Sequence, residues 1–451
     1  MDRRDFIKVA AAGAAGMAVS PGASAQDMVA GVVLPGDFSS DGRRGNVSNG
    51  AEKHVNVSGY VREQAHRIPV AASADVVVVG GGPAGVAAAV CAARQGASAI
   101  LIEKANFLGG LWTGGLVLPV LANYGKGKKA AWEKATGGFC SEICDKLLST
   151  GGAFGENDPI VEPEETKYLL DKTIMEAGVR MVYNATAAGV VMSGNRIDCV
   201  LIDCNTGRLA IKCKAAIDAS GDGCLFNFAG DPHEDRLYHM STSFRVTGTT
   251  SGKAGSPTPI DNMKFRTVGT REVMDGLDIF KVSELQQKHR LQVWDLVQNL
   301  KKNPECRDAY LMEVAPVTGV RVTRVLDSLH NVTLEDSMEW TAYPDVIGMA
   351  GVCDPFDYKG RRIERKDRPI WQIPYRSLIP KETQNLLVCG RCFGYDQGIT
   401  WDAREISTCM VTGQAAGTAA AMAVAGRCAA KDVDINKLQS TLRNGKVRLD
   451  F

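Results

Sequence analysis

An arginine pair and one histidine are the side chains of this sequence best suited to handle a small acidic molecule. Arg321 and Arg324 lie three positions apart, and a guanidinium can hold a carboxylate through two parallel hydrogen bonds. The same pair could instead lie on a solvated strand face. His239 is the strongest acid–base candidate among the histidines because imidazole titrates near neutral pH, although a lone histidine is more often structural. These side chains need a scaffold, and the glycines of the sequence indicate its type.

A glycine-rich turn after the first apolar strand predicts a nucleotide-binding fold. Residues 75–79 include four consecutive valines, a β-branched run typical of a buried parallel strand. In the turn that follows, Gly80 allows a tight bend and Gly82 allows the backbone to approach a pyrophosphate, while Gly85 allows the next helix, 86–94, to pack on the strand. The N-terminus of that helix offers free N–H groups and a positive dipole end to phosphate.

The residues after this helix indicate which nucleotide is bound. Glu103 ends a second strand, 18 residues after Gly85, where its carboxylate can accept a hydrogen bond from a ribose hydroxyl. NAD and FAD share these features. The loop at Gly109 and Gly110 favours FAD, because flavoproteins of this class lay such a loop along the pyrophosphate and the flavin. The segment 76–103 and its following loop therefore predict FAD binding.

Later segments extend this α/β pattern and insert a β-meander into it. Glycine-containing turns separate the short strands of the meander, and the last two strands end in glycine turns of their own. In chain order the predicted elements are a helix at 164–177, strands at 179–183, 185–192, 196–204, 208–212, 215–223 and 385–390, and a helix at 402–425.

This order of motifs resembles the family of FAD-dependent oxidoreductases in the glutathione-reductase-like superfamily of flavoproteins, distant relatives of the fumarate reductase flavoproteins. The resemblance covers roughly residues 73–427, and four motifs in the same order are specific to this class. It implies that Ala187, on the meander, meets the adenine through its backbone. The residues that the resemblance assigns to FAD are Gly80, Gly82, Ala84, Gly85, Glu103, Lys104, Gly109, Gly110, Ala187, Gly221, Asp222, Gly390, Arg391 and Arg404.

The resemblance also suggests where catalytic groups lie. Arg404 would stand at the start of the 402–425 helix beside the flavin, where its charge and the helix dipole stabilise a reduced, anionic ring; it could instead be a surface arginine. Arg321 and Arg324 occupy a place where the family usually carries an arginine pair, although the acidic residue expected after the first arginine is missing. Tyr375 and Arg376 are assigned to the site in the same way.

The domain organisation follows from these segments. We predict a Rossmann-like FAD-binding α/β domain, with a parallel sheet and a β-meander, into which an α+β substrate domain is inserted. The substrate would then bind at the interface of the two domains. The predicted order is a signal peptide at 1–25, an irregular leader at 26–72, the first part of the FAD-binding domain at 73–231, the substrate domain at 232–377 and the C-terminal part of the FAD-binding domain at 378–451.

The N-terminus resembles a twin-arginine export signal. Arg3 and Arg4 precede an uncharged Ala/Gly-rich stretch at 9–19, and an Ala-Ser-Ala cleavage pattern predicts a mature start near Gln26. The stretch is too short and too weakly apolar to span a bilayer. A basic helix start on a cytoplasmic protein is the alternative. Export through this route would deliver a folded, FAD-loaded protein to the periplasm.

The charge balance and the cysteine spacing argue against several other functions. The 52 basic and 51 acidic residues nearly cancel, so the positive field of a nucleic-acid binder is missing. Cys389 and Cys392 have CxxC spacing, but a buried strand position argues against a redox disulfide, and no partner motif completes a zinc site. We therefore predict no metal site, and no haem attachment motif is present.

The predicted function is hydride transfer between FAD and a small organic substrate, with electrons exchanged with a separate carrier such as a quinone or a cytochrome. The direction of the reaction stays open. Two alternatives are an oxidase that returns electrons to oxygen and a flavin-containing binding or assembly subunit without turnover.

Overall fold

The computed structural model describes residues 51–61, 66–270, 272–353 and 360–451, and the backbone of Val32–Val33. The predicted signal peptide and most of the predicted leader lie outside these residues. The chain divides into two units, residues 1–67 and 68–451. In the first unit, Val32–Val33 pairs antiparallel with Tyr60–Val61.

A mixed seven-stranded sheet forms the centre of the second unit. Gly207–Asp218 connects the antiparallel and the parallel strands of this sheet. It pairs antiparallel with Arg196–Cys204, which closes the meander, and in parallel with Val70–Val79 and Leu386–Val388. The valines at 76–79 are buried on both faces of the sheet, as their β-branched run predicts. In spatial order the strands are Thr186–Ser193, Arg196–Cys204, Gly207–Asp218, Val70–Val79, Ala99–Ile102 and Arg180–Val182, with Leu386–Val388 beside Gly207–Asp218. The predicted α/β class with a parallel core is confirmed.

Two strand boundaries differ from the prediction. The first strand begins at Val70, inside the segment assigned to the leader, since its first residues pair with residues 210–213. The strands predicted separately at 208–212 and 215–223 are one strand, Gly207–Asp218. Neither glycine nor proline interrupts residues 208–218, so nothing in the chain breaks the extended conformation there.

The closest helix contact in the fold depends on two glycines. The helices of the described residues are α1 (Pro83–Arg94), α2 (Gly138–Thr150), α3 (Pro163–Glu176), α4 (Cys224–Ala229), α5 (Ile279–Leu300), α6 (Leu334–Met338), α7 (Thr400–Ala403), α8 (Ile406–Gly426) and α9 (Ile435–Asn444). A Cβ on Gly413 would lie 2.1 Å from the Ala84 carbonyl oxygen, and one on Gly417 would lie 2.0 Å from that of Ala88. The missing side chains therefore let α8 rest directly on the backbone of α1.

The helix predicted at 402–425 is broken near its start. α7 ends at Ala403, and α8 begins at Ile406 after Glu405, whose backbone is extended. Tertiary bonds replace helical ones at the break. The Asp402 carboxylate accepts a hydrogen bond from the Cys353 N–H, and its carbonyl accepts one from Thr408 Oγ1. Arg404 thus lies between two helices and not in the first turn of one.

A second, five-stranded sheet follows α4 in the chain. Its strands are Met240–Thr247, Ser256–Pro257, Met263–Gly269, Tyr310–Val314 and Gly319–Val320. Paired strands complete the described structure, namely Tyr124–Lys126 with Trp132–Lys134, Ala153–Phe154 with Ile160–Val161, His233–Asp235 with Arg324–Leu326, Leu237–Tyr238 with Met274–Asp275, and Val346–Gly351 with Ile370–Pro374. The division of this unit into an FAD-binding and a substrate domain stays a prediction.

Among the residues that the structure describes, no helix is both long enough and apolar enough to cross a bilayer.

Candidate active site

A cavity of about 630 Å³ lies between the two sheets. One wall is built from residues that follow the carboxyl ends of parallel strands in the large sheet, among them Gly80, Glu103, Gly221 and Gly390. The facing wall comes from the five-stranded sheet and the loop around Thr318. Ligands of open α/β sheets bind beyond the carboxyl ends of the strands, and the cavity has the size of a typical ligand site.

The three glycines of the first turn have different surroundings. Gly80 has a φ of +102°, and a Cβ there would lie 2.4 Å from the Ala219 carbonyl oxygen; a Cβ on Gly85 would lie 1.7 Å from that of Gly80. These two glycines are needed for packing. By contrast, a Cβ on Gly82 would meet no atom within 4 Å, because this residue faces the cavity. The turn therefore presents bare backbone and the N-terminus of α1 to the open space.

Glu103 both closes this turn and lines the cavity. Its carboxylate accepts hydrogen bonds from the backbone N–H of Gly81 at 2.6 Å and of Ala105 at 2.8 Å. The carboxylate is thereby held at the rim of the second strand, next to the glycine turn. Gly109 supports the same turn from behind, since its N–H donates to the Gly81 carbonyl oxygen at 2.8 Å.

Asp222 is held by cations at the end of the Gly207–Asp218 strand. Arg391 Nη2 donates to Asp222 Oδ1 at 2.6 Å, and Lys104 Nζ lies 3.6 Å from Oδ2. Burial opposes ionisation of Asp222, yet Arg391 and Lys104 together keep its pKa below the usual range. Asp222 is therefore an ionised residue in the cavity wall, and Arg391 and Lys104 hold its carboxylate in place.

Arg324 supports this wall and does not line the cavity. Its Nη1 donates to the Asp222 backbone carbonyl at 3.1 Å, and its Nε lies 3.7 Å from Asp235 Oδ1. The prediction that Arg324 joins Arg321 in holding a substrate stays a prediction. In this structure the Arg324 guanidinium is directed to Asp222 and Asp235, whereas Arg321 lines the cavity.

Two half-buried arginines, Arg321 and Arg404, and the buried Glu405 form a charged group on the cavity wall. Arg321 Nη2 donates to Ser241 Oγ at 3.5 Å, and burial together with the nearby charge of Arg404 lowers its pKa. The Arg404 guanidinium lies 5.3 Å over the Trp401 ring, and its buried Nε has no hydrogen-bond partner among the described residues. Arg404 Nη2 lies 3.8 Å from Glu405 Oε1. Burial raises the pKa of Glu405 against the opposing charge of Arg404.

Six other predicted site residues are not part of the cavity wall, namely Gly85, Gly109, Ala187, His239, Tyr375 and Arg376. Tyr375 is fully buried and donates its hydroxyl to the Ala430 carbonyl at 2.7 Å. Arg376 pairs with Asp345 at 3.0 Å. These contacts are structural, and the catalytic roles assigned to both residues stay predictions. His239 and Ala187 also lie outside the cavity wall; the Nδ1 of His239 is buried without a partner among the described residues.

The sequence reasoning missed a row of hydroxyl groups on the facing wall. Ser241 and Ser243 occupy alternate positions of the Met240–Thr247 strand, and both line the cavity together with Thr267 and Thr318. Ser243 Oγ lies 2.9 Å from Thr267 Oγ1 on the neighbouring strand. The alternation of serines could have signalled this wall, because every second residue of a strand points to the same face. Glu405 was missed because its neighbours in sequence give no such pattern.

The cysteine pair behaves as a structural feature. Cys389 and Cys392 are both free thiols without solvent exposure, and burial raises the pKa of each far above its ordinary value. Within the described residues, no three His, Cys, Asp or Glu side chains are grouped so that they could hold a metal ion.

Comparison with curated proteins finds partial relatives. The chain is 31% identical over 194 residues to digeranylgeranylglycerophospholipid reductase 1 of Methanococcoides burtonii, covering 39% of this chain and 45% of that protein. It is 25% identical over 182 residues to the thiamine thiazole synthase of Methanoculleus marisnigri, covering 38% and 66%. The chain thus spans less than half of the length of the first relative and less than two thirds of the second.

A solved structure of similar extent is a geranylgeranyl bacteriochlorophyll reductase-like protein from Thermoplasma acidophilum. It covers 82% of this chain and 83% of its own, at 14% identity and a TM-score of 0.44.

The model of the family described as FAD dependent oxidoreductase matches residues 75–236 and 233–442. These segments contain the glycine turn, the meander, the five-stranded sheet and α8, and hence both walls of the cavity. The prediction of FAD as the cofactor and of an enzymatic role is confirmed. The chain belongs to the family of FAD dependent oxidoreductases.

Proposed function

We propose that the cavity holds FAD at the glycine turn and a small organic acid beside Arg321 and Arg404. The residues present fit the cofactor. Gly82 leaves space where a side chain would stand, the N-terminus of α1 faces that space, and the buried Nε of Arg404 has no hydrogen-bond partner within the described part of the chain. Bound there, FAD supplies hydride exchange with the substrate.

The observation that carries this proposal is that two guanidiniums face the same cavity as Gly82. A guanidinium stays charged at every physiological pH and can hold a carboxylate through two hydrogen bonds. Arg321 would bind and orient the substrate from the five-stranded sheet. The hydroxyls of Ser241, Ser243 and Thr267 would bind its polar substituents. Trp112 and Phe265, which also line the cavity, exclude water from the reacting region.

The experiment is anaerobic bleaching of the bound flavin by a panel of carboxylates, sugars, steroids and phenolic acids. We expect a carboxylate to bleach wild type, or an organic acid acceptor to reoxidise the dithionite-reduced protein. Arg321→Ala should raise the required concentration about 10- to 100-fold, the equivalent of one lost hydrogen bond to a charged group. Arg376→Ala, whose arginine lies outside the cavity, is the matched control. A reduced flavin that is reoxidised by oxygen but by no organic acid, in a protein that no carboxylate bleaches, would favour the oxidase alternative and contradict the proposal.

The proposal extends to the rest of the electron path and to location. A separate quinone or cytochrome would exchange electrons with the flavin, and export through the twin-arginine route would carry the FAD-loaded protein to the periplasm. Arg3, Arg4 and the small-residue pattern before Gln26 support export. Membership of an enzyme family favours turnover over a binding or assembly role.

A further inference from the structure

A buried carboxyl group faces the cavity beside the two guanidiniums. Glu405 is only 5% exposed, and its carboxylate accepts no hydrogen bond from any described residue; Arg404 Nη2 approaches it to 3.8 Å. We infer that Glu405 is the residue that gives or takes the proton accompanying hydride exchange at this site. This inference rests on the proposed function.

Comparison with other helix starts argues against a purely structural role. The acidic residues that precede α3, α5 and α9 each accept a hydrogen bond from a backbone N–H three residues further along, as N-cap residues usually do. Glu405 occupies the same position before α8, but its side chain caps no N–H. Its carboxylate lies instead on the wall of the cavity. The helix therefore does not explain why a carboxyl group is buried there.

The charged and titratable groups around Glu405 suit a proton that can leave and return. Burial raises the pKa of Glu405 and Asp158 adds to this effect, whereas the positive charges of Arg404 and Arg321 oppose it. The groups that face it are Arg404 and Cys409 from its own segment, and Arg321, Asp158 and Cys353 from other segments. Both thiols have a pKa raised by burial, and Asp158 pairs with Arg365. Glu405 is the carboxyl group of this set that lines the cavity.

The chemistry balances with FAD as the two-electron partner. In the oxidative direction a substrate C–H bond breaks, its electron pair leaves with the hydrogen as hydride to FAD, and the proton of the adjacent hydroxyl or amine passes to the Glu405 carboxylate. The substrate is oxidised and FAD is reduced. In the reductive direction both transfers reverse, and Glu405 returns the proton to the substrate oxygen or nitrogen.

The test measures how many protons the protein takes up when its flavin is reduced, and it needs no substrate. Negative charge that develops beside Glu405 raises its pKa further, so the carboxylate should be ionised in the oxidised protein and protonated in the reduced one over part of the pH range. The midpoint potential of FAD-loaded wild type and Glu405→Gln is followed across the whole range of pH in which both proteins stay folded. Wild type should take up one more proton per electron pair than Glu405→Gln within one window of pH.

Asp158→Asn is the matched control, because it removes a neighbouring half-buried carboxylate that does not line the cavity; it should keep the extra proton. Equal proton numbers for wild type and Glu405→Gln at every pH would overturn the inference. If Glu405→Gln loses FAD, Glu405→Asp replaces it in the comparison. This variant should keep the extra proton but take it up over a shifted range of pH. An unchanged range of pH would count against Glu405. If no organic acid bleaches the oxidised flavin and none reoxidises the reduced flavin, the proposed function alone is overturned.

Discussion

At the level of single residues, the first glycine turn uses one residue type for two purposes. Gly80 and Gly85 are glycine because neighbouring backbone occupies the space of a side chain. Gly82 is different, since its surroundings are open on the cavity side and its φ of −69° suits any residue. A side chain at Gly82 therefore tests the cofactor site without straining the fold.

We predict that Gly82→Val folds but does not retain FAD. The valine would fill the space that the structure leaves for the pyrophosphate. The measurement is flavin absorbance per mole of purified protein, with circular dichroism as the test of folding. Gly252→Val is the matched control, because a Cβ there also meets no atom within 4 Å and the residue lies outside the cavity. Equal flavin content in the two variants would contradict the proposed position of the cofactor.

Arg404 permits a second test at this scale. Its guanidinium is largely buried, with a side chain 15% exposed, so its charge acts across little water. Loss of one preorganised positive group should remove about 2 to 4 kcal/mol of stabilisation from the reduced state. For a two-electron couple, Arg404→Ala should then lower the midpoint potential by about 40 to 90 mV. Redox titration checks this, with Arg376→Ala as the control; a potential within error of wild type, with FAD bound, rules the role out.

At the level of elements, the break between α7 and α8 brings chemistry to the cavity. An uninterrupted helix would point successive side chains around its axis every 100° or so. At the break, where the backbone leaves helical geometry, the consecutive residues Arg404, Glu405 and Ile406 all line the cavity. α8 itself is anchored against α1 through Gly413 and Gly417, so the break is held at a fixed distance from the glycine turn.

The contact between α1 and α2 leads to a prediction about acid stability. Arg94, in the last turn of α1, donates two hydrogen bonds to the Glu142 carboxylate, at 2.8 and 2.9 Å. This pairing lowers the pKa of Glu142 from 4.5 to about 2. A depressed pKa means that the pair stabilises the fold above pH 4.5 and that this stability is lost as the pH falls towards 2. Since both side chains are partly exposed, we expect about 1 kcal/mol.

Glu142→Gln should therefore lower the free energy of unfolding by about 1 kcal/mol at neutral pH and flatten its decrease between about pH 4.5 and 2. Denaturant titration at several pH values measures both effects. Glu164→Gln removes a carboxylate that pairs with Lys167 on the exposed face of α3, and should change stability by less than about 0.5 kcal/mol. Parallel pH curves for wild type and Glu142→Gln would contradict the assigned role of the ion pair.

At the level of the whole molecule, the chain builds its cavity from segments far apart in sequence. It leaves the large sheet after α4 and returns to it at Leu386–Val388. Asp231 links the segment that leaves the large sheet to the segment that returns to it. Its carboxylate accepts hydrogen bonds from the backbone N–H of Glu382 and Thr383 and from Thr383 Oγ1. The cavity therefore takes its walls from both parts of the chain that build the large sheet and from the segment between them.

The export proposal makes a prediction for the complete chain. Replacing Arg3 and Arg4 together with lysine should leave the full-length precursor in the cytoplasm, because the twin-arginine route reads the arginine pair. Cell fractionation with flavin fluorescence of each fraction measures the distribution. A variant with Lys8→Arg, which keeps the charge and the arginine pair, should be exported like wild type. Periplasmic delivery of the double-lysine protein would remove the twin-arginine claim.

The sequence by itself determined the α/β class and the cofactor. The features behind both are local, since a β-branched strand, three glycines and Glu103 act within about 30 residues, the length of one βαβ unit, and the loop at Gly109 and Gly110, which favours FAD over NAD, follows directly. The tertiary structure alone decided which charged side chains meet. Arg321, Arg404 and Glu405 converge on one cavity, whereas Arg324, Tyr375 and Arg376 contact other parts of the protein. The physical reason is that side-chain direction depends on the break before α8 and on pairing between distant strands, which neighbouring residues do not encode.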